Sequence, residues 1–273
     1  MIFNELRKVN GMKKVRLNNG VEMPIIGYGV YQIPTSDTKM KVLEALSAGY
    51  RLIDTAQYYG NEQGVGEAVA ASGIPRSEVF ITTKVMSNHN VEKRIDESLS
   101  KLKTDYIDLL LIHWVMGNDI KTYQVMEKYV RAGKVRAIGL SNFYGKDYDN
   151  ILEHCEIQPT VIQQETHIYQ QNKERQKRYK KDGIYLESWA PFGEGRADMF
   201  NNSTLLKIAN KHNKTIAQII LRFLIERDII VIPKTSHKDR MYENLNIFDF
   251  SLDNEDKVTL ETMDKNESLF NWY

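Results

Sequence analysis

An α/β chain wound as a (β/α)8 TIM barrel is predicted by three features of the sequence. Short apolar runs alternate with amphipathic helical ones along nearly the whole chain. The apolar runs are continuous and rich in Val, Ile and Leu, the pattern of strands buried on both faces of a parallel sheet. Polar residues then fall at the ends of successive runs: Asp54 and Tyr59 after YRLID, Lys84 after VFITT, and His113 after DLLLI. Strand ends that each deliver a reactive side chain mark a barrel enzyme rather than a binding module. A doubly wound open sheet gives the same alternation, but its dinucleotide-binding version needs a glycine-rich loop after the first strand, and GYGVYQ is not that loop.

A hairpin comes first. KVRL and VEMP flank Asn18, Asn19 and Gly20, residue types that tolerate the positive φ of tight turns, and the pair is expected to cap the bottom of the domain. PIIGYGV opens the strand and helix series, followed by TKMKVLEALSAG, YRLID, EQGVGEAVAASG, VFITTK, VEKRIDESLSKLK and DLLLIH. The alternation continues through YQVMEKYVRAG, VRAIGLSN, DYDNILEHC, TVIQQ, KERQKRYKKDG and IYLESW, then a two-helix region across 203–227, IIVIPK and RMYENLNIF. Eight strands result, with extra helices beyond the repeating pattern. Gly49, Gly73, Gly133 and Gly183 stand where helices should stop.

The 273 residues suit one domain, 1–273, because no Pro/Gly/Ser-rich or charged linker divides them. Met12 opens a stretch that reads like a natural beginning, so residues 1–11 are expected to form a mobile extension. Lys plus Arg number 37 against 36 for Asp plus Glu, so no global pull toward nucleic acid or an anionic membrane is expected. The lone cysteine, Cys155, sits in LEHCEI at the tail of a helix and reads as a bland, partly buried residue. No apolar stretch approaches the ~20 residues of a membrane span, and the start lacks the apolar centre of a secretory signal. A cytoplasmic enzyme is expected, as a monomer or weak oligomer. There is no P-loop, no Cys/His cluster at zinc spacing and no G-x-S-x-G elbow.

Taken in order, DTAQYYGNE, ITTK, LLIHW, AIGLSNF and VIPKTS resemble the aldo-keto reductases, over a span from about residue 13 to about residue 250. More narrowly, ESWAPFGEG and a short C-terminal tail look like the bacterial members related to 2,5-diketogluconate and methylglyoxal reductases. The resemblance implies a (β/α)8 barrel, a nicotinamide cofactor bound without a Rossmann motif, and reduction of aldehydes or ketones to alcohols.

Hydride delivery to a carbonyl carbon builds negative charge on its oxygen, so a proton donor must stand within hydrogen-bond reach. By its place in the motif, Tyr59 is that donor. A free tyrosine has a pKa of about 10, and the Lys84 ammonium beside it is expected to lower that value. Asp54 is expected to pair with Lys84 and offset the cost of burying its charge. His113, expected to be neutral, would hold the carbonyl oxygen. Tyr58, on the neighbouring position, reads as structural.

The resemblance also implies the cofactor contacts. Ser141, Asn142 and Gln163 would hold the carboxamide, and Trp189 would stack on the nicotinamide ring. Ile162 replaces the asparagine usual before Gln163. Lys234, Thr235, Ser236 and Arg240 resemble the cluster that grips the adenosine 2′-phosphate, with the Ser236 to Arg240 stretch opening a helix, and Glu243 and Asn244 match residues that meet the adenine. NADPH (with NADP+ as its product) is therefore expected rather than NADH. Gly29 and Val30 after the first barrel strand, with Asp54, Ala190 and Pro191, complete the set. Phe192, Gly193, Glu194 and Gly195 are expected to form a loop near the pyrophosphate. Tyr31 and Trp114, with Tyr59 and His113, should line the substrate mouth. Val115 replaces the usual proline, and a short connection and short tail predict an open pocket for small aldehydes and dicarbonyls. Two rivals share these features: a redox-sensing regulatory subunit that binds the cofactor with little turnover, and a barrel isomerase or aldolase using Lys84 as a Schiff base.

Overall fold

The computed structural model describes residues 7–9, 12–270 and 272. An antiparallel sheet of β1 (Arg7–Val9), β2 (Met12–Arg16) and β3 (Glu22–Pro24) precedes the barrel. Of the amino-terminal extension, Arg7–Val9 pairs with β2, while residues 1–6 and 10–11 lie outside the described residues. The turn between β2 and β3 closes through Gly20, whose N–H donates to Leu17 O at 2.9 Å with φ at 86°, a conformation glycine adopts without a Cβ clash. The amides of Asn18 and Asn19 donate to Pro159 O at 2.8 Å and Arg136 O at 3.0 Å. These bonds fasten the hairpin beneath the barrel, where Val15, Leu17 and Met23 are buried.

Eight parallel strands follow: β4 (Tyr28–Gly29), β5 (Leu52–Asp54), β6 (Phe80–Val85), β7 (Ile107–Ile112), β8 (Val135–Ser141), β9 (Val161–Glu165), β10 (Tyr185–Trp189) and β11 (Ile230–Val231). They pair in sequence order. The ring closes where Gly27 N donates to Val231 O at 2.8 Å and Val231 N donates to Ile25 O at 3.0 Å. All six residues of β7 are buried, which explains why its last four, 109–112, form a continuous apolar run rather than an alternating one. Gly139 in β8 is required by packing, since a Cβ there would lie 2.2 Å from Val161 O.

Helices α1 (Thr35–Ala48), α2 (Glu62–Ala71), α3 (Val91–Lys101), α4 (Asp119–Arg131), α5 (Gly145–His154) and α6 (Lys173–Lys181) each follow one strand. Two helices, α7 (Ser203–His212) and α8 (Ile216–Glu226), follow β10; α9 (Lys238–Leu245) follows β11, and α10 (Asn254–Glu261) leads into the tail. Apolar spacing sets which face of each is buried: in α3 that face is Val91, Ile95 and Leu99. A capping box between Thr215 and Gln218 starts α8 by satisfying backbone N–H groups that have no helical partner. Cys155 caps the end of α5, half-buried, its thiol pKa pushed up mainly by burial. Among the described residues, no helix is long and apolar enough to cross a membrane.

Candidate active site

The C-terminal ends of the strands surround a cavity of about 940 Å³. Asp54 ends β5, Tyr59 closes a short 3-10 turn (Gln57–Tyr59), Lys84 is the next-to-last residue of β6, and His113 follows β7. Four separate segments therefore deliver four side chains to one place, which is what the strand ends predicted.

Lys84 is 0% exposed, and its ammonium has three protons to place. All three find acceptors: Asp54 Oδ1 at 2.6 Å, Thr55 O at 3.0 Å and Tyr59 Oη at 3.2 Å. Burial is the largest single effect on Lys84 and would lower its pKa, but the Asp54 carboxylate and the Tyr59 hydroxyl together outweigh it and hold the amine above its ordinary value. A permanently charged amine is a poor Schiff-base nucleophile, so the geometry runs against the aldolase alternative.

Tyr59 departs from the expected direction. Burial pushes its pKa up to about 12, and the neighbouring Lys84 charge only partly offsets that rise. The ammonium does favour the phenolate, as its charge dictates, but desolvation around the hydroxyl is the larger effect. His113 is neutral, its pKa pushed down to about 2 by burial first and then by Lys84. Its ring stands edge-on to Tyr59, centroids 5.7 Å apart. His113 Nδ1 is buried with no hydrogen-bond partner among the described residues.

The amide-bearing residues form a second layer. Asn142 Nδ2 donates to Ser141 Oγ at 3.0 Å and to His113 O at 3.2 Å, while its Oδ1 accepts from Trp189 Nε1 at 2.9 Å. Gln163 Nε2 donates to Asp54 Oδ2 at 2.9 Å, tying this layer to the Lys84 cluster. Trp189, expected against a nicotinamide ring, is stacked on Trp272 of the tail, at 5.5 Å and 21°. Ile162 is fully buried in β9.

Lys234, Thr235, Arg240, Glu243 and Asn244 line another part of the cavity, with Lys234 and Arg240 exposed. The helix expected to open at Ser236 begins instead at Lys238, so Ser236 lies before it, exposed and outside the cavity lining. Tyr28 Oη donates to Thr235 O at 2.6 Å and so fixes this turn from inside the barrel. Gly29, Ala190, Pro191, Phe192, Glu194 and Gly195 also face the cavity; Val30 and Gly193 are buried behind its wall, and Lys84 lies beneath Tyr59. A Cβ on Gly29 would meet Ile232 O at 2.9 Å. At this rim Gln32, Asn142 and Ala190 hold left-handed backbone (φ of 59°, 59° and 49°), a costly conformation for non-glycine residues. Exposed cations near one helix start and convergent amides near the reactive cluster fit the two ends of a phosphorylated dinucleotide.

Sequence reasoning missed several walls. Tyr58, read as structural, is 65% exposed and lines the cavity. Trp272 also lines it, meeting Tyr31 at 6.5 Å and Trp114 at 6.3 Å, so the short tail contributes an aromatic wall where an open mouth was expected. Thr215, Ile216 and Ala217 at the start of α8 complete the lining. Their capping-box pattern was a readable signal for a helix start; Trp272 carried none. Among the described residues, no group of three or more His, Cys, Asp or Glu is placed to hold a metal.

The sequence pattern of the Aldo/keto reductase family matches residues 25–265. Glyoxal reductase of Bacillus subtilis (strain 168) is 40% identical over 261 residues, covering 93% of this chain and 94% of that protein. Methylglyoxal reductase DkgA of Yersinia pestis is 36% identical over 260 residues, covering 93% and 94% respectively. The crystal structure of a Bombyx mori aldo-keto reductase in complex with NADP superposes with a TM-score of 0.88 at 31% identity, covering 95% of each chain. With the barrel, its strand-end cluster and a match along nearly the whole length in agreement, the chain belongs to the aldo/keto reductase family and is an oxidoreductase of carbonyl compounds.

Proposed function

We propose that this enzyme reduces small aldehydes, ketones and dicarbonyls to alcohols with NADPH, Tyr59 acting as the proton donor. The observation that carries the reading is the contact chain Asp54, Lys84, Tyr59, at 2.6 and 3.2 Å, at the wall of the cavity beside neutral His113. The reduced nicotinamide supplies the hydride when bound. Ser141, Asn142 and Gln163 would hold its carboxamide, and Lys234, Thr235 and Arg240 would hold the 2′-phosphate, with Glu243 and Asn244 at the adenine. Gly29 and the cavity-lining residues of the 190–195 segment would carry the connecting groups.

The carbonyl oxygen lies between Tyr59 Oη and a ring nitrogen of His113. As the C=O double bond opens, its electron pair moves onto oxygen, and Tyr59 transfers its proton there. The net change is one hydride to carbon and one proton to oxygen, and water returns a proton to Tyr59. A pKa near 12 suits this role: the phenol keeps its proton at neutral pH, yet yields it to an alkoxide, which is the stronger base. Lys84 limits how far burial raises that value and stabilises the phenolate left behind. Tyr31, Trp114 and Trp272 enclose a small substrate between aromatic faces.

The test is the loss of NADPH absorbance with methylglyoxal or 4-nitrobenzaldehyde. Sustained oxidation is expected. Tight NADPH binding without turnover would support a redox-sensing subunit instead.

A further inference from the structure

Glu187 lies in the middle of β10, in register with Gln163 on β9 and Ile230 on β11. It is 0% exposed, and no step above uses it. Gln163 Nε2 donates to Glu187 Oε2 at 2.8 Å as well as to Asp54 Oδ2 at 2.9 Å. An amide nitrogen has two hydrogens, and two carboxyl groups take both. This fixes which way the amide points: Gln163 lines the cavity with its carbonyl oxygen as the only polar side-chain atom left to offer. A ligand group meeting Gln163 must therefore donate a hydrogen bond, as a carboxamide nitrogen does.

The second oxygen of Glu187, Oε1, is buried without a hydrogen-bond partner among the described residues. An ionised carboxylate in that position would lack half its solvation and sit beside the charge of Asp54. A neutral carboxyl avoids the repulsion by Asp54 and leaves its second oxygen unpartnered at a much smaller cost than an ion would. We propose that Glu187 is a positioning residue for hydride transfer: as a protonated acid it locks the Gln163 amide toward the nicotinamide carboxamide and keeps a second negative charge out of the Lys84 cluster. The inference rests on the cofactor reading above. The charged groups facing it are Asp54 from β5 and Lys84 from β6; β11 presents only Ile230 and Val231, and β9 presents the neutral Gln163. Burial first, then Asp54, raises the Glu187 pKa to about 8, against smaller lowering by Gln163 and Lys84.

The sign of the pH effect follows. Below about pH 8 the folded protein keeps the Glu187 proton, and above it a second carboxylate forms next to Asp54. That charge opposes the one developing on the carbonyl oxygen, so hydride transfer slows. In the cofactor-free protein, the folded state holds a proton that the unfolded state has lost, so stability falls as pH rises from the ordinary carboxyl range to about 8.

Three measurements on wild type, Glu187→Gln and Glu187→Leu from about pH 6 to about pH 10 test this: NADPH Kd, the single-turnover rate, and the unfolding midpoint without cofactor. In wild type the single-turnover rate is expected to fall several-fold through a limb near pH 8, and Glu187→Gln to lack that limb. Glu187→Leu should weaken NADPH about tenfold because Gln163 loses an acceptor, and Glu187→Gln should restore most of that affinity because its amide oxygen still accepts. Relative to Glu187→Gln, the wild-type unfolding midpoint should drop toward pH 8. A limb that persists in Glu187→Gln, or unchanged NADPH affinity in Glu187→Leu, overturns the role of Glu187. A wild-type protein that neither binds NADPH nor reduces a carbonyl would instead overturn the functional reading, while the midpoint comparison would still report on the Glu187 proton.

Discussion

The two ends of the barrel bury charge in opposite ways. At the bottom, Asp108 near the start of β7 is 1% exposed, yet both its oxygens are satisfied: Arg136 donates to Oδ1 at 2.7 Å, and Arg76 and the Ile81 N–H donate to Oδ2 at 2.8 and 3.0 Å. At the top, Lys84, Asp54, Gln163 and Glu187 form an equally buried network, but His113 Nδ1 and Glu187 Oε1 have no partner among the described residues. A saturated network holds the fold, whereas an incomplete one faces a cavity and has capacity to spare for a ligand or a proton. The same chemical groups thus serve stability at one end and reaction at the other.

Breaking the bottom network should therefore cost stability without changing the chemistry. Asp108→Ala leaves the Arg136 guanidinium and the Ile81 N–H without their acceptor and strips Arg76 of its carboxylate while Thr104, Val79 O and Tyr106 O still accept from it, and a loss of about 3 kcal/mol in unfolding free energy is expected. Both arginines reach solvent in part, which keeps the value at the low end of the range for buried pairs. Chemical denaturation measures it, and kcat of the folded fraction should be unchanged. A fall in kcat comparable with the stability loss would erase the distinction between the two ends.

A smaller effect sharpens the reading of the top. Arg240 lines the cavity but is exposed, so Arg240→Ala should leave stability nearly intact. Its loss should weaken NADPH about tenfold, the equivalent of ~1.4 kcal/mol, and NADH much less. Equal losses for both cofactors, read by fluorescence titration, would remove the 2′-phosphate role.

How much of this was legible in the sequence depends on whether each residue carried a local signal. Asp54, Tyr59, Lys84 and His113 were readable because each ends or follows an apolar run, and the run itself fixes which end of the barrel receives it. The lining residues from Lys234 to Asn244 were legible only through the resemblance of their segment to a family, and the helix start was set two residues early. Trp272 was not readable, because its contacts with Tyr31, Trp114 and Trp189 depend on the path of the chain after α10 rather than on any repeat. The Tyr59 pKa was misjudged because the charge of Lys84 is visible in sequence while the depth of burial is not. Glu187 did leave a trace: it stands two residues before Trp189 on one strand, so both side chains leave the same face, and an acid inside an otherwise apolar strand calls for a partner.

The central claim is that Tyr59, supported by Lys84, gives the proton to the developing alkoxide. Single-turnover hydride transfer from prebound NADPH to methylglyoxal, compared between wild type and Tyr59→Phe, tests it without interference from product release. The rate in Tyr59→Phe should fall at least ~10²-fold while NADPH affinity stays within about twofold. An unchanged transfer rate would contradict the claim, whatever the affinity.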